Sequence, residues 1–544
     1  MKIKLIFCLF SIVLTLMLLV SCGECKHEFG EWETVKEATC VDSGIKTAMC
    51  SLCQLSKTKT IDAGKHSEIT LEGLAATCTE TGLSQGTKCS LCNEILTPQS
   101  VIEKTRHDFV EGKCSYCGTD SYSEGLLFML NSDNASYKVS LGDCNDERIV
   151  IPESYNGLPV TLIETDAFKN GTFVEIYIPN SILTIESGAF TGCKSLSKIT
   201  IPFVGKSANA TSKEALFGYI FGYEEFDESV KVSQNYSSLF AAVYYIPKQL
   251  TVVELNGNLT YGAFCGCANL TTVIFPKTVT TLPDYSFYGC SALAGVTLHE
   301  GLTEIGNEVF GKCSSLTSVS IPASVKKIGE YVFYACSSIK ELSVPANSES
   351  FTSIDGHLYS KDESTLVAYA LGSESKQFIM SNNVKYISSY LFFGSVNLES
   401  IVLSNQLTSI PRHAFSNCSS LKSIIMSEGV TIIKESAFLG CSSLESIQIP
   451  STVEIIESYA FQKCTSLKTL SIGKGVKTIE EYAFSVCSSL VTIYLQADIE
   501  YIGKNVFWKN YNATIYCEDE SLNPNWDASW NPDCKVLWDK PFVE

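Results

Sequence analysis

Between residues 121 and 515 the chain repeats every 23 residues, and this period restricts its possible folds more than any other feature. Cysteines and phenylalanines both recur at this interval. The positions are Cys267, Cys290, Cys313 and Cys336, then Cys418, Cys441, Cys464 and Cys487, with Phe264, Phe287, Phe310 and Phe333, then Phe392, Phe415, Phe438, Phe461, Phe484 and Phe507. A lone unit of this length cannot bury its apolar face, so each unit must stack on the one before it. The sequence therefore predicts a β-rich right-handed solenoid.

Each repeat follows the pattern C-S-S-L-x-x-I-x-I-P-x-x-V-x-x-I-x-x-x-A-F. Apolar and polar residues alternate at the ends of stretches such as 444–449 and 467–472, which indicates a short strand that stops at or before proline. We expect the strands of successive coils to form a parallel sheet. With about 4.8 Å between neighbouring strands, about twelve coils between Phe168 and Phe507 would extend roughly 60 Å.

Two interruptions break the repeat, at about 203–260 and 346–388, and residues 516–544 are expected to close the last coil. The first interruption is rich in aromatic residues, and the second resembles a hairpin around the charged turn 360–364. Insertions in solenoids often carry the binding face, and tight binding concentrates on aromatic side chains. The predicted ligand-binding residues are Tyr219, Phe221, Tyr223, Phe226, Tyr244 and Tyr245. The alternative is that these rings only pack the insertion against the solenoid edge.

Residues 1–21 have the features of an export signal, because Lys2 and Lys4 precede an apolar run that is short for a membrane-spanning helix. The run ends in Leu-Val-Ser before Cys22, which resembles a bacterial lipobox. Cys22 is then predicted to carry the lipid that anchors the protein outside the cytoplasmic membrane, at the cell surface. The alternative is an ordinary cleaved signal followed by an incidental cysteine.

Residues 22–120 contain a separate tandem module rich in cysteine and histidine. His27, Cys40, Cys50 and Cys53 are followed about 39 residues later by His66, Cys78, Cys89 and Cys92, and a shortened third copy retains His107, Cys114 and Cys117. Paired C-x-x-C motifs with a histidine at repeat spacing are typical of tetrahedral zinc sites. The sequence predicts structural zinc within 25–117, and no other cofactor.

The grouping of these ligands stays open in the sequence. One partition places Cys40, Cys50, Cys53 and His66 on one ion, and Cys78, Cys89, Cys92 and His107 on another. The alternative uses His27 and His66, each within its own copy. Disulfide bonds are a third interpretation, because exported cysteines tend to oxidise and a C-x-x-C pair can itself form a bridge.

The cysteines of the solenoid invite a different interpretation. One cysteine per coil at a constant phase predicts a column of buried thiols that behave as small apolar side chains, and not a disulfide framework. Cys517 and Cys534 are the pair that could form a bridge.

Composition and charge exclude several classes of function. At 45% hydrophobic and 18% charged residues the chain is expected to fold, and a net charge of −19 disfavours nucleic acid as a partner. His299, His357 and His413 lie at unrelated phases of the solenoid and do not form a catalytic group with a nucleophile. We therefore expect no enzymatic activity.

The 23-residue unit, the opening segment "GLLFMLNSDNASYKVSLGDCNDERIVIPESYNGLPVTLIETDAF" and both interruptions resemble the BspA-like leucine-rich-repeat surface proteins, over about 390 residues. The resemblance implies adhesion to host extracellular proteins, glycans or other cells. It supplies no binding residues, because the shared motif positions are core positions. A structural spacer in the envelope, with no saturable ligand, is the alternative function.

Overall fold

The computed structural model describes residues 26–77, 80–104, 122–496 and 498–540, and the backbone of 109–110 and 113–114. The chain divides into two compact units, Met1–Asp120 and Ser121–Glu544. The regular secondary structure of the described residues consists mainly of short strands in both units. In the described ranges, helical structure is limited to two short 3-10 turns, Ser212–Ala215 and Phe217–Ile220.

The first unit contains two small antiparallel sheets that follow the sequence repeat. One consists of Glu33–Lys36, Gly44–Met49 and Ser56–Ile61, and the other of Glu68–Leu71, Gly86–Cys89 and Ile95–Thr97. Two strand pairs complete the unit, Gly82–Leu83 with Val101–Ile102 and Phe109–Val110 with Lys113–Cys114. Its described apolar core is very small, because only Cys40, Ala48, Cys50 and Cys89 are buried.

The second unit is a solenoid of about 17 turns, which confirms the predicted fold. One face of the solenoid is formed by parallel strands that come from the apolar segment before the proline of each repeat. They are Arg148–Val150, Glu175–Tyr177, Lys198–Ile201, Val252–Leu255, Thr272–Ile274, Ser318–Ser320, Glu341–Ser343, Gln377–Ile379, Ser400–Val402, Ser423–Ile425, Thr469–Ile472, Thr492–Leu495, Thr514–Cys517 and Lys535–Leu537.

A second set of shorter parallel strands follows the proline of each repeat. The set comprises Leu158–Ile163, Thr184–Ile185, Thr281–Leu282, Glu304–Ile305, Lys327–Ile328, Thr365–Ala368, Tyr386–Ile387, Ser409–Ile410, Ile432–Ile433, Ile455–Ile456, Thr478–Ile479 and Tyr501–Ile502. Pairing follows the sequence period, since Ile432 lies opposite Ile455 and Ser400 opposite Ser423. Most coils add one strand to each set, but residues 293–299 and 444–449 contain no strand, so the strand expected at 444–449 is wrong.

The interior of the solenoid is built from columns of identical side chains. Phenylalanine rings of successive coils stack nearly parallel, for example Phe415 on Phe438 at 5.2 Å and Phe461 on Phe484 at 5.0 Å between ring centroids. The predicted column of buried cysteines is confirmed, because the cysteines of the repeat are buried and unbridged. The suspected bridge between Cys517 and Cys534 is wrong, since both thiols are free.

Antiparallel strands mark the start of the solenoid and its two interruptions. The start contains Leu127–Leu130, Tyr137–Ser140 and Ser154–Tyr155. The first interruption forms the hairpin Ser229–Asn235 and Ala241–Pro247, and the second contains Phe351–Ile354 and His357–Ser360, paired in turn with Thr365–Ala368. The hairpin expected around 360–364 is therefore present, with one further strand at its edge.

The first interruption also replaces part of the core. Its rings Phe217 and Phe221 lie between Phe190 and Phe264, with centroid distances of 6.2 Å from Phe190 to Phe221 and 5.0 Å from Phe217 to Phe264. The phenylalanine column thus continues through a segment in which the repeat pattern is absent from the sequence. At the other end, Trp526 and Trp530 are buried and pack at 5.1 Å beside the last coil.

Candidate metal centre and binding surfaces

Four metal-ligating side chains converge in the first unit. The ligand atoms of Cys40, His66, Cys89 and Cys92 all lie within 4.8 Å of one another. The sulfur atoms of Cys40 and Cys89 are 3.5 Å apart, and Nδ1 of His66 lies 3.5 Å from the sulfur of Cys92. Cys40 and Cys89 are buried, while Cys92 and His66 are partly exposed. We call these four residues the tetrad.

The loop from Cys89 to Cys92 is shaped to bring two sulfurs to one side. Cys89 ends a strand, and the amide of Asn93, which has a positive φ of 58°, donates to the Cys89 carbonyl at 3.0 Å. The amide of Leu91 donates to the Cys89 sulfur at 3.4 Å. Burial tends to raise the pKa of this thiol, but the amides of Leu91 and Cys92 outweigh it and lower the pKa to about 5.

A second group repeats this geometry one copy earlier. The ligand atoms of His27, Cys50 and Cys53 lie within 4.8 Å of one another, and Nδ1 of His27 is 3.3 Å from the sulfur of Cys53. Gln54 has a positive φ of 58° and occupies the position that Asn93 has in the next copy. Hydrogen bonds from the Leu52 amide and the His27 ring lower the pKa of Cys50 to about 6. We call these three residues the triad.

The structure chooses a grouping that the sequence left open. His27 and His66 each lie with the C-x-x-C pair of their own copy, as the second alternative stated, and Cys40 crosses into the next copy. The first partition is wrong, because Cys50 and Cys53 do not join Cys40 and His66. Cys22, Cys78, His107 and Cys117 lie outside the described residues, as does the side chain of Cys114.

The six aromatic residues predicted to bind a ligand separate into two groups. Tyr219, Phe221 and Tyr244 are buried, which is the packing role of the alternative interpretation. The Tyr244 hydroxyl donates to the Lys213 carbonyl at 2.6 Å, which ties the hairpin to the 3-10 turns. Phe226 and Tyr245 are half-buried, and Tyr223 alone of the six is exposed, at 45%.

Sequence reasoning missed the most exposed apolar residues of the insertion. Leu239 and Phe240, at the tip of its hairpin, are 84% and 60% exposed. The tip is ordered by hydrogen bonds, since the Tyr236 amide donates to the Phe240 carbonyl at 3.1 Å and the Phe240 amide donates to the Ser237 hydroxyl at 3.1 Å. The sequence offered one indication of this tip, a leucine and a phenylalanine between the segments that form the two hairpin strands.

Comparison with known proteins identifies the repeat. A family model described as the BspA type leucine rich repeat region matches residues 161–261, 257–379 and 385–514, in six copies. The chain belongs to this family. No curated protein matches the BspA-type chain.

Three solved structures are similar to this BspA-type chain. A leucine rich cell surface protein from Faecalibacterium prausnitzii is 24% identical, covering 74% of this chain and 95% of its own, with a TM-score of 0.46. The pneumococcal vaccine antigen PcpA is 20% identical, covering 76% and 98%, with a TM-score of 0.49. A leucine-rich repeat protein from Bacteroides ovatus is 23% identical, covering 76% and 98%, with a TM-score of 0.46. At these values the three likenesses carry no functional argument.

The outer surface of the BspA-type solenoid carries ion pairs between neighbouring coils. Glu399 lies between Lys376 at 2.7 Å and Lys422 at 2.6 Å, and these two cations lower its carboxyl pKa to about 2. Lys468 and Glu445 pair in the same way at 3.0 Å. These ion pairs join the side chains of neighbouring coils on the outer surface.

Within the described ranges, no helix combines the length and apolar character needed to cross a bilayer.

Proposed function

We propose that this BspA-type protein is a lipid-anchored cell-surface binding protein, and that it contacts a protein or glycan of a host or of another cell through the hairpin tip at 236–240. Members of this repeat family are typically surface proteins. The tip is the observation that carries the proposal, because it presents two large apolar side chains, Leu239 and Phe240, to solvent.

The hairpin below the tip is built rigidly enough to hold these side chains in place. Gln234 is fully buried, accepts a hydrogen bond from the Gly218 amide at 2.6 Å and donates to the Ala263 carbonyl at 3.0 Å. A preorganised apolar contact loses little conformational entropy on binding, so it contributes more affinity than the same side chains on a flexible loop. Tyr223, also exposed, belongs to the same insertion.

The experiment compares binding of purified residues 23–544 and of the double variant Leu239→Ser/Phe240→Ser to an array of host matrix proteins and bacterial surface glycans. We expect saturable binding by the unaltered protein and at least a tenfold weaker affinity for the variant, because a few central residues usually carry most of the binding energy of a contact. The matched control is Leu183→Ser/Tyr511→Ser, which removes a leucine and an aromatic ring of comparable exposure, 63% and 69%, from other surfaces.

Each outcome has a defined meaning. An equal loss of affinity in both double variants indicates nonspecific binding to exposed apolar side chains, and it contradicts a specific site at the tip. Absence of saturable binding to every ligand, in several salt concentrations, favours the envelope spacer over the adhesin.

Anchoring is tested separately at Cys22. Labelling of growing cells with a tagged fatty acid is expected to mark the protein, and Cys22→Ala is expected to abolish the label and release the protein from the membrane fraction. A labelled Cys22→Ala variant, or an unlabelled parent protein, contradicts the lipid anchor.

A further inference from the structure

We propose that Cys40, His66, Cys89 and Cys92 bind one Zn²⁺ ion, and that this ion joins two successive copies of the Cys/His repeat into a single folded unit. The proposal concerns the first unit only and is independent of ligand binding by the solenoid.

The spacing of the tetrad fits tetrahedral zinc. With zinc–sulfur and zinc–nitrogen bonds of about 2.3 and 2.1 Å, two ligand atoms of a tetrahedron lie about 3.5–3.8 Å apart. The sulfur atoms of Cys40 and Cys89, and the His66 nitrogen and Cys92 sulfur, are both 3.5 Å apart. Three sulfurs and one imidazole nitrogen form a set that closes all four positions, as in structural zinc sites.

The surroundings of the tetrad support the same ion. Nε2 of His66 lies 3.4 Å from a carboxylate oxygen of Glu94, so the second ring nitrogen can donate to a carboxylate while Nδ1 faces the sulfurs. Partners of this kind orient metal-binding histidines. The amide of Leu91 donates to the Cys89 sulfur, which stabilises negative charge on a sulfur ligand.

The first unit also requires a source of stability that its side chains do not provide. Three of its four described buried apolar residues are cysteines of the tetrad or the triad. Its larger apolar residues are mostly exposed, as shown by Val35 at 67%, Leu52 at 66% and Leu91 at 75%. Small domains with so little apolar core usually depend on metals or disulfides.

The position of Cys40 gives the ion its joining role. Cys40 lies in the loop that connects two strands of the first sheet, Glu33–Lys36 and Gly44–Met49. Cys89 is the last residue of a strand in the second sheet. One ion bound by both residues links the sheets. The triad has the same histidine and C-x-x-C pair, but the residue about 39 positions before Cys40 is Met1, which is not a cysteine.

The test measures zinc in purified residues 23–544 by native mass spectrometry after dialysis against a competing chelator. Cys40→Ser and Cys89→Ser are each expected to lose one zinc ion per chain. The double variant Cys40→Ser/Cys89→Ser is expected to lose no more than either single variant, because both residues hold the same ion. Loss of two ions in the double variant overturns the grouping, since the two cysteines then serve different ions.

A second comparison separates metal binding from packing. Cys40→His retains a zinc ligand and is expected to keep the ion, and cobalt substitution should show a thiolate–cobalt band that is weaker than in the parent. If Cys40→Ser fails to fold, Cys40→His still decides the question. The parent protein is disulfide-bonded if it contains no zinc and its mass is lower than that of the reduced chain by two hydrogens per cysteine pair. The proposal is then wrong.

Limited proteolysis tests the joining role. Strong chelation is expected to make residues 26–104 sensitive to protease, while the solenoid from about residue 121 remains resistant. A first unit that stays resistant after complete loss of zinc contradicts a role of the ion in holding the two copies together.

Discussion

The side-chain amide of Asn510 donates a hydrogen bond to the carbonyl oxygen of Phe484 at 2.9 Å. Asn510 occupies the position that cysteine has in earlier coils, where the Cys487 thiol donates to the Phe461 carbonyl at 3.2 Å and the Cys441 thiol to the Phe415 carbonyl at 3.1 Å. The residue at this position of each of these coils therefore donates its side chain to a phenylalanine carbonyl of the preceding coil. Cysteine fills this position because its side chain is small, apolar and a weak donor.

Cys441 offers a direct test of this role. Cys441→Ala is expected to lower the free energy of unfolding by about 1–2 kcal/mol, because it removes buried volume and one of the two donors to the Phe415 carbonyl, the other being the Cys418 amide at 3.1 Å. Cys441→Ser keeps a donor of similar size and is expected to cost less than Cys441→Ala. Urea unfolding of both variants provides the measurement, and a serine variant less stable than the alanine variant contradicts the donor role.

The phenylalanine column predicts that a core substitution destabilises only the coils next to it. Phe438 stacks on Phe415 at 5.2 Å and on Phe461 at 4.9 Å, so Phe438→Ala is expected to cost about 3–5 kcal/mol in those coils. Because each coil contacts only its neighbours, hydrogen exchange should increase at Ile432–Ile433 and Ile455–Ile456 and stay unchanged at Glu175–Tyr177. Uniformly faster exchange along the chain argues against nearest-neighbour stability.

His357 predicts a pH dependence of stability. Its ring is 3% exposed, stacks on Tyr369 at 4.3 Å and accepts a hydrogen bond from the Ala370 amide at 3.2 Å. Burial lowers the pKa of His357 from 6.5 to about 4, so the unfolded chain binds more protons between these values. The contribution is complete above pH 6.5 and is lost as the pH falls toward 4, by up to about 3 kcal/mol.

The measurement compares unfolding free energies at pH 7 and pH 4.5 for the parent and for His357→Gln. The glutamine variant is expected to lose less stability between these two pH values, because its side chain does not titrate. An identical pH dependence in both proteins assigns the acid sensitivity to other groups.

Gly218 predicts how tightly the first interruption is built into the solenoid. A Cβ atom at this position would lie 2.6 Å from three atoms of the Tyr244 side chain, so Gly218→Ala is expected to destabilise the protein by about 1–3 kcal/mol. Gly295 has no neighbour within 4 Å of such an atom, and Gly295→Ala is the matched control, expected to change stability by less than about 0.5 kcal/mol. Thermal unfolding of the two variants decides whether the insertion is a packed part of the core.

The sequence alone was sufficient for the regular part of the solenoid. A period of 23 residues fixes which residues lie opposite one another, as in the pair Ile432 and Ile455, since any other register would place polar residues in the interior. Burial of the cysteine column followed from the same period.

Contacts between residues that are not related by the repeat became visible only in the tertiary structure. Phe217 and Phe221 enter the phenylalanine column from a segment with no recognisable repeat, and three of the predicted binding rings became core while Leu239 and Phe240 reached the surface. Cys40 meets Cys89 from the neighbouring copy, which spacing within one copy does not reveal. Periodicity specifies contacts between equivalent residues of adjacent coils, whereas contacts across insertions and between copies depend on how the chain turns in three dimensions.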